Sequence, residues 1–204
     1  MLNKISVLLV DDHALVRRGF RRILEDEPDI TVVAQAASGD EALAMAGRYQ
    51  PDVALLDIEM PGLDGIEVAR RLRGNGFGGK TVIVTTFGRP GYLAAAMAAG
   101  ASGFLLKDAP AAELATAIRR VNAGERVVDP ALAAAALAEG ASPLTAREAE
   151  VLAAARGHGS IADLAGRLHL SQGTVRNHLS AAIQKLGARN RAEAVQIAER
   201  KGWL

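Results

Sequence analysis

Three aspartates stand where they could act together. Asp11 and Asp12 directly follow the aliphatic run at residues 5–10, and Asp57 closes a second run at 53–56. Short continuous apolar runs of this kind read as strands buried on both faces. Acids placed just after such strands emerge at the carboxyl edge of a parallel sheet, where open α/β sheets bind their ligands. Three carboxylates gathered there repel one another unless a cation lies between them. Hard oxygen donors suit Mg²⁺, which commonly brings a phosphate with it. These residues therefore predict a metal-assisted phosphoryl site.

The elements that must position this site are legible over the first 120 residues. Strands are expected at 5–10, 31–35, 53–57, 81–85 and 103–106, and helices at 13–25, 39–49, 65–73, 90–99 and 111–123. In the first helix Leu15, Phe20, Ile23 and Leu24 are the apolar positions, and Ser38 with Glu41 three residues on forms a capping box for the second. Five strands alternating with five helices predict an α/β fold, a doubly wound parallel five-stranded sheet. Residues 124–141 lack a strong period and read as a linker with one or two helical turns, although the alanines could instead form a single exposed helix. From Leu144 the pattern is wholly helical. Thr145 with Glu148 caps one helix, and Ile161, Leu164, Ala165 and Leu168 stripe a second. Ser171 caps a third whose seam is Val175, Leu179, Ile183 and Leu186, ended by Gly187. Asn190 and Glu193 cap a fourth, giving a small all-α four-helix domain.

Composition narrows the classes. Of 204 residues 50% are hydrophobic, enough for a real core, and only 3% are aromatic, which argues against a base-stacking single-strand binder. There is no cysteine, so disulfides and thiolate metal sites are excluded. No apolar stretch approaches the roughly 20 residues that span a bilayer, and the N-terminal run is too short for a signal segment. The expectation is a soluble, cytoplasmic protein. Charge is uneven: residues 143–204 carry nine basic against five acidic side chains, whereas the first 120 carry fourteen against fifteen. A basic, compact tail points to a nucleic-acid partner.

Asp11-Asp12, Asp57 followed by Met60-Pro61-Gly62, Thr85 after a strand, and Gly100-Ala101-Ser102-Gly103-Phe104-Leu105-Leu106-Lys107 resemble the receiver domain of two-component response regulators, over the whole first 120 residues. The resemblance implies that Asp57 is the phospho-acceptor and that Mg²⁺ is held by Asp11, Asp12, Asp57 and the backbone carbonyl of Glu59. It implies that Lys107 pairs with the phosphoryl oxygens, and that Thr85 and Phe104 form a switch. Thr85 would hydrogen-bond the phosphate, and Phe104 would rotate into the space vacated. Thr86 competes for the hydroxyl role, but Thr85 lies 22 positions before Lys107, the family's separation. The pattern differs at Gly88-Arg89-Pro90-Gly91, where such receivers have an acidic, polar helix start, and at Glu59, which places a negative side chain near the phosphate.

Leu144-Thr145-x-Arg147-Glu148-x-x-Val151-Leu152, Leu170-Ser171-x-x-Thr174-Val175-Arg176-Asn177-His178-Leu179 and Lys185-Leu186-Gly187 resemble the LuxR/NarL-type helix-turn-helix. The resemblance implies that the third helix of this module enters the major groove. With its seam facing inward, Arg176, Asn177 and Ser180 lie outward near the helix start, where Arg can take guanine and Asn adenine. Thr174, Lys185 and the helix amino end are then phosphate contacts. His158-Gly159-Ser160-Ile161 departs from the family's usual turn.

The reading is a DNA-binding response regulator and not an enzyme, with a receiver at 1–122, a linker at 123–141 and the helix-turn-helix at 142–204. Its implied partners are a sensor histidine kinase, double-stranded promoter DNA and, once phosphorylated, a second copy of itself through the first and fifth helices. Two rivals stand beside it. A constitutive DNA binder would keep the receiver only for dimerisation. An aspartyl-nucleophile phosphohydrolase would typically want a second Asp two residues past the nucleophile, where this chain has Glu59.

Overall fold

The computed structural model describes residues 4–86, 88–140, 142–157 and 159–204, and all but the side chain at Glu139 within them. The divergent turn at His158 and the end of the linker at Ala141 thus fall partly outside the described residues. The chain divides into two compact units, one of Met1–Gly88 with Leu93–Ala134 and the other of Arg89–Tyr92 with Ala135–Leu204.

In the first unit strands and helices alternate: β1 (Ile5–Val10), α1 (Ala14–Glu25), β2 (Ile30–Ala36), α2 (Gly39–Tyr49), β3 (Val53–Leu56), α3 (Gly65–Gly74), β4 (Lys80–Thr85), α4 (Pro90–Ala99), β5 (Gly103–Leu106) and α5 (Ala111–Asn122). Two further elements, β6 (Val127–Val128) and α6 (Pro130–Glu139), lie in the expected linker. All strand pairs are parallel, in the order β2-β1-β3-β4-β5-β6. The sheet is therefore six-stranded, not five-stranded. Val127 and Val128 pair with Gly103 and Phe104 of β5, and Val127 packs into the core beside Val121. Two residues carry no period of their own; the open edge of β5 makes them a strand.

The strands are apolar because both faces are covered. Val7, Leu9, Val53, Leu55, Val82 and Val84 share one cluster with Leu24 of α1 and with Leu114, Ile118 and Val121 of α5. The alternate residues Leu8, Val10, Ala54, Leu56, Ile83 and Phe104 are equally buried outside that cluster, on the side where α2 and α3 contact the sheet. Each such aliphatic side chain contributes about 1.5–3 kcal/mol on full burial. Leu15, expected as an apolar position of α1, is 82% exposed. It falls on the outer side of the helix, while Phe20 packs against the core with Leu24. α6 forms along ten residues, longer than the one or two turns expected. Asp129 accepts from the Leu132 N–H at its start (2.9 Å) and Pro130 takes the first helical position.

The second unit consists of α7 (Ala146–Ala154), α8 (Ile161–Leu168), α9 (Gln172–Lys185) and α10 (Arg191–Lys201) around a core that includes Val151, Leu152, Leu164, Val175, Leu179 and Ala198. Ser171 caps α9 by accepting from the Thr174 N–H at 3.0 Å. The α8–α9 turn is made by His169 in the left-handed region (φ 52°) instead of a glycine. Thr145 and Glu148 form the reciprocal capping box. The expected box at Ser38–Glu41 is only half present: Ser38 takes the Glu41 N–H, but the Glu41 carboxylate reaches one residue further, to the Ala37 N–H.

A two-pronged ion pair ties the turn between α1 and β2 to α5. Arg119 donates Nε to Asp29 Oδ2 (2.8 Å) and Nη2 to Asp29 Oδ1 (2.6 Å), and also reaches Glu27. Hydrogen bonding to Arg119 lowers the Asp29 carboxyl from its ordinary 3.8 to about 2. A depressed carboxylate contributes stability above its unfolded pKa and loses it as pH falls through the folded value. The melting temperature of Asp29→Asn should accordingly lie below that of the parent at pH 7 and fall less steeply between about pH 4 and pH 2, as followed by circular dichroism; parallel acid curves would remove Asp29 from the account.

Candidate functional site

Strand register brings the acids together. Val10 of β1 lies opposite Leu56 of β3, so the next residues, Asp11 and Asp57, leave the sheet side by side, and the Asp57 N–H donates to the Val10 carbonyl at 2.9 Å. On the far side of β4, Thr85 pairs with Leu106 and Lys107 follows at once, its N–H donating to the Thr85 carbonyl at 2.8 Å. The loop after Asp57 is wrapped closely: a Cβ at Gly65 would lie 2.0 Å from the Asp57 main-chain oxygen, so only glycine fits there.

Lys107 spans the site. Its ammonium lies 2.6 Å from Asp11 Oδ2 and 2.9 Å from Asp57 Oδ2, with only 11% of the lysine side chain and 3–4% of the two acids exposed. Burial pushes the Asp57 carboxyl up, and Lys107 offsets that only in part. Burial alone would lower Lys107, but its hydrogen bonds to Asp11 and Asp57 outweigh this and hold it above its usual range. The second oxygen of Asp57, Oδ1, is buried and has no hydrogen-bond partner. Ligand atoms of Asp11, Asp12, His13 and Asp57 all lie within 4.8 Å of one another. A buried, unsatisfied carboxylate oxygen beside two further carboxylates is a donor set compatible with Mg²⁺.

Of the other residues expected here, Thr85 and Phe104 are fully buried at the ends of β4 and within β5, while Thr86 is exposed. The Glu59 side chain is exposed and stands apart from the acid cluster. His13 was not anticipated from the sequence, yet its ring nitrogen lies 2.7 Å from Asp12 and 3.6 Å from Asp11. An imidazole directly after two acids was the available signal. Arg17, also unanticipated, donates to the Asp11 main-chain carbonyl.

In the second unit Val175 and Leu179 of α9 face the core, and Arg176, Asn177 and Ser180 are exposed on the other side. Thr174 shares its hydroxyl with Ser171 Oγ at 2.8 Å. Lys185 is placed differently from expectation: its ammonium is engaged by Glu148, at 2.9 Å from Oε1 and 2.7 Å from Oε2. Glu148 is 6% exposed, and the hydrogen bond from Lys185 lowers its pKa. A sequence reading misses this because the partners are 37 residues apart.

A doubly wound parallel sheet carrying a lysine-bridged acid pair at its carboxyl edge, joined in one chain to a helix-turn-helix unit, defines a class of regulator. The comparisons agree. The model for the response regulator receiver domain matches residues 7–119, and that for bacterial regulatory proteins of the luxR family matches residues 142–198. The uncharacterized transcriptional regulatory protein YvfU of Bacillus subtilis (strain 168) is 44% identical over 98% of this chain and 100% of that protein. The transcriptional regulatory protein DesR of the same organism is 41% identical over 98% and 99%. The crystal structure of the response regulator ChrA of a heme-sensing two-component system shares 39% identity at a TM-score of 0.59, covering 100% of both chains. The chain belongs to the two-component response regulators that join a receiver to a LuxR-type DNA-binding domain. No helix among its described residues is long and apolar enough to cross a membrane.

Removing one member of a buried ion pair leaves the others uncompensated. Lys107→Ala, measured by urea unfolding in the presence of a chelator, should lose about 3 kcal/mol. A loss below about 1 kcal/mol, the value of an exposed pair, would show that the bridge does not organise the site.

Proposed function

We propose that a sensor histidine kinase phosphorylates this protein on Asp57 in the cytoplasm, and that phosphorylation promotes dimerisation and binding to promoter DNA. The observation that carries the reading is the Lys107 bridge between Asp11 and Asp57, with one Asp57 oxygen buried and unpartnered beside it. An Asp57 oxygen attacks the phosphorus of a phosphohistidine. The P–N bond breaks, its electron pair returns to the imidazole, and an acyl phosphate forms on Asp57. Asp11, Asp12, Asp57 and the backbone carbonyl of Glu59 would hold Mg²⁺. When bound, that ion supplies the charge neutralisation that phosphoryl transfer chiefly needs. Lys107 passes from the carboxylate to the phosphoryl oxygens, so the cation already in place serves the product.

Thr85 and Phe104 are the transmitting pair in this proposal. Both are fully buried, so a shift of the Thr85 hydroxyl towards the phosphoryl group forces repacking, and close-packed interiors respond in discrete steps. α1 and α5 supply the dimer surface. Two recognition helices then meet half-sites about one helical turn apart, and linked weak sites gain affinity through effective concentration. On α9, Arg176, Asn177 and Ser180 read base edges, while Thr174 and the helix amino end meet phosphate. Lys185, held by Glu148, belongs to the fold in this scheme.

Acetyl phosphate and Mg²⁺ should retard wild type but not Asp57→Asn in electrophoresis that separates phosphorylated from free protein, and should tighten only wild-type binding to tandem sites selected from random duplexes. Retardation of both proteins, or of neither, would overturn the assignment. For the DNA face, Arg176→Ala should cost about 1–3 kcal/mol at one base position. Lys185→Met should leave the salt slope of binding unchanged, whereas a phosphate contact would lower it by about 1.

A further inference from the structure

Arg17 stands where local preference would not put it. It lies in the first turn of α1, where a cation opposes the helix dipole. Further along the same helix, Arg21 and Arg22 each meet an acid one turn on, Glu25 at 2.6 Å and Asp26 at 3.6 Å. Among the described residues Arg17 makes no ion pair; its Nη1 donates instead to the Asp11 main-chain carbonyl. A residue that breaks a local rule commonly serves a tertiary purpose. The carbonyl it holds belongs to the peptide plane that joins Asp11 to Asp12, and the atoms from one Cα to the next move in that plane as one. Fixing the oxygen therefore fixes the roots of both acids.

The other polar groups of Asp11 are each tied to a different part of the chain. Its N–H donates to the Ala36 carbonyl of β2 at 3.2 Å, its Oδ1 accepts from the His13 N–H at 2.9 Å, and its Oδ2 meets Lys107 at 2.6 Å. Arg17 supplies the tie on the carbonyl side. Asp11 is buried, and the space behind it is closed: Arg17 and Phe20 line, together with Asp11 and Asp57, a cavity of about 10 Å³, room for roughly one water. Solvent is a poor substitute for the guanidinium there. We infer that Arg17 is a positioning residue for phosphoryl transfer, acting through the Asp11 carbonyl to hold Asp11 and Asp12 in the arrangement that takes the divalent cation. The inference rests on the reading of Asp57 as the phospho-acceptor. Lys107 orders the carboxylate ends of the site, and Arg17 orders the backbone that carries them. Groups one step behind a metal ligand change affinity or activity by roughly 10–100-fold when removed.

The test uses the full chain, Mg²⁺ as the probe and acetyl phosphate as the donor, with wild type, Arg17→Met, Arg17→Lys and Arg18→Met compared. Arg18 is the exposed neighbour on the same helix, and its loss changes the net charge by the same amount. Calorimetry should show Mg²⁺ bound about tenfold more weakly by Arg17→Met than by wild type. The Mg²⁺ concentration that gives half the maximal phosphorylation rate should rise by a like factor, while the rate at saturating Mg²⁺ falls by less. Arg17→Lys, which keeps a charged donor, should lie between the two, and Arg18→Met should match wild type. Circular dichroism checks that each variant is folded; if Arg17→Met is not, Arg17→Lys carries the comparison and must still bind Mg²⁺ more weakly than Arg18→Met. Equal Mg²⁺ affinity in the Arg17 and Arg18 variants would overturn the inference. So would a fall in the maximal rate alone, or an Arg17→Lys protein no better than a folded Arg17→Met. Those outcomes, with wild type phosphorylated on Asp57, leave the reading of the site intact; a wild type that takes no phosphate there overturns both.

Discussion

One ammonium group held between two buried carboxylates is the constraint around which the first unit is organised. Asp11 directly follows β1, Asp57 follows β3 and Lys107 follows β5, and β4 lies between the last two strands. Adjacent strands are about 4.8 Å apart, so β3 and β5 are separated by roughly 10 Å, and only a long side chain at a strand end can close that gap. The ion pair therefore depends on the sheet order, on parallel pairing that brings all three ends to one edge, and on the loops that let Gly65 pass against the Asp57 carbonyl. Each apolar residue buried in the sheet helps to hold charges that would otherwise separate.

The second unit contains a similar pairing with a different outcome. Glu148 is also a buried acid met by a lysine from a distant helix, but both of its oxygens are occupied, by Lys185 and by the Thr145 N–H. Asp57 keeps one oxygen without a partner. A fully satisfied buried carboxylate locks packing, here of α7 against α9, and a partly satisfied one stores an unmet demand for positive charge. That difference, more than burial or the presence of lysine, separates a structural acid from one suited to chemistry.

The rim of the pocket is built with the same economy. Asp12 and His13 lie between β1 and α1, where the chain leaves the sheet, and His13 gives up helix capping while its ring faces the acids. Arg17, one turn further, holds the Asp11 main-chain carbonyl from behind. One face of the first helical turn is thus committed to the acid cluster, and Leu15, on the other side, is left to solvent.

Period and punctuation sufficed for the strands β1 to β5, the helices between them and the four helices of the second unit, because each buries a face or faces written in its own residues. The acids and Lys107 were legible for a related reason: a charged residue directly after an apolar strand has only the sheet edge to occupy. Val127 and Val128 were not legible, since their pairing depends on the free edge of β5. Nor were the positions of Lys185 and His13, because a partner 37 residues away or a ring turned from its own helix leaves no trace in local spacing. Residue order alone dictates which segments are buried and which charged groups must share an edge. Which oxygen of Asp57 is left unmet emerges only on folding, because hydrogen-bond satisfaction depends on distances and directions between groups far apart in the chain.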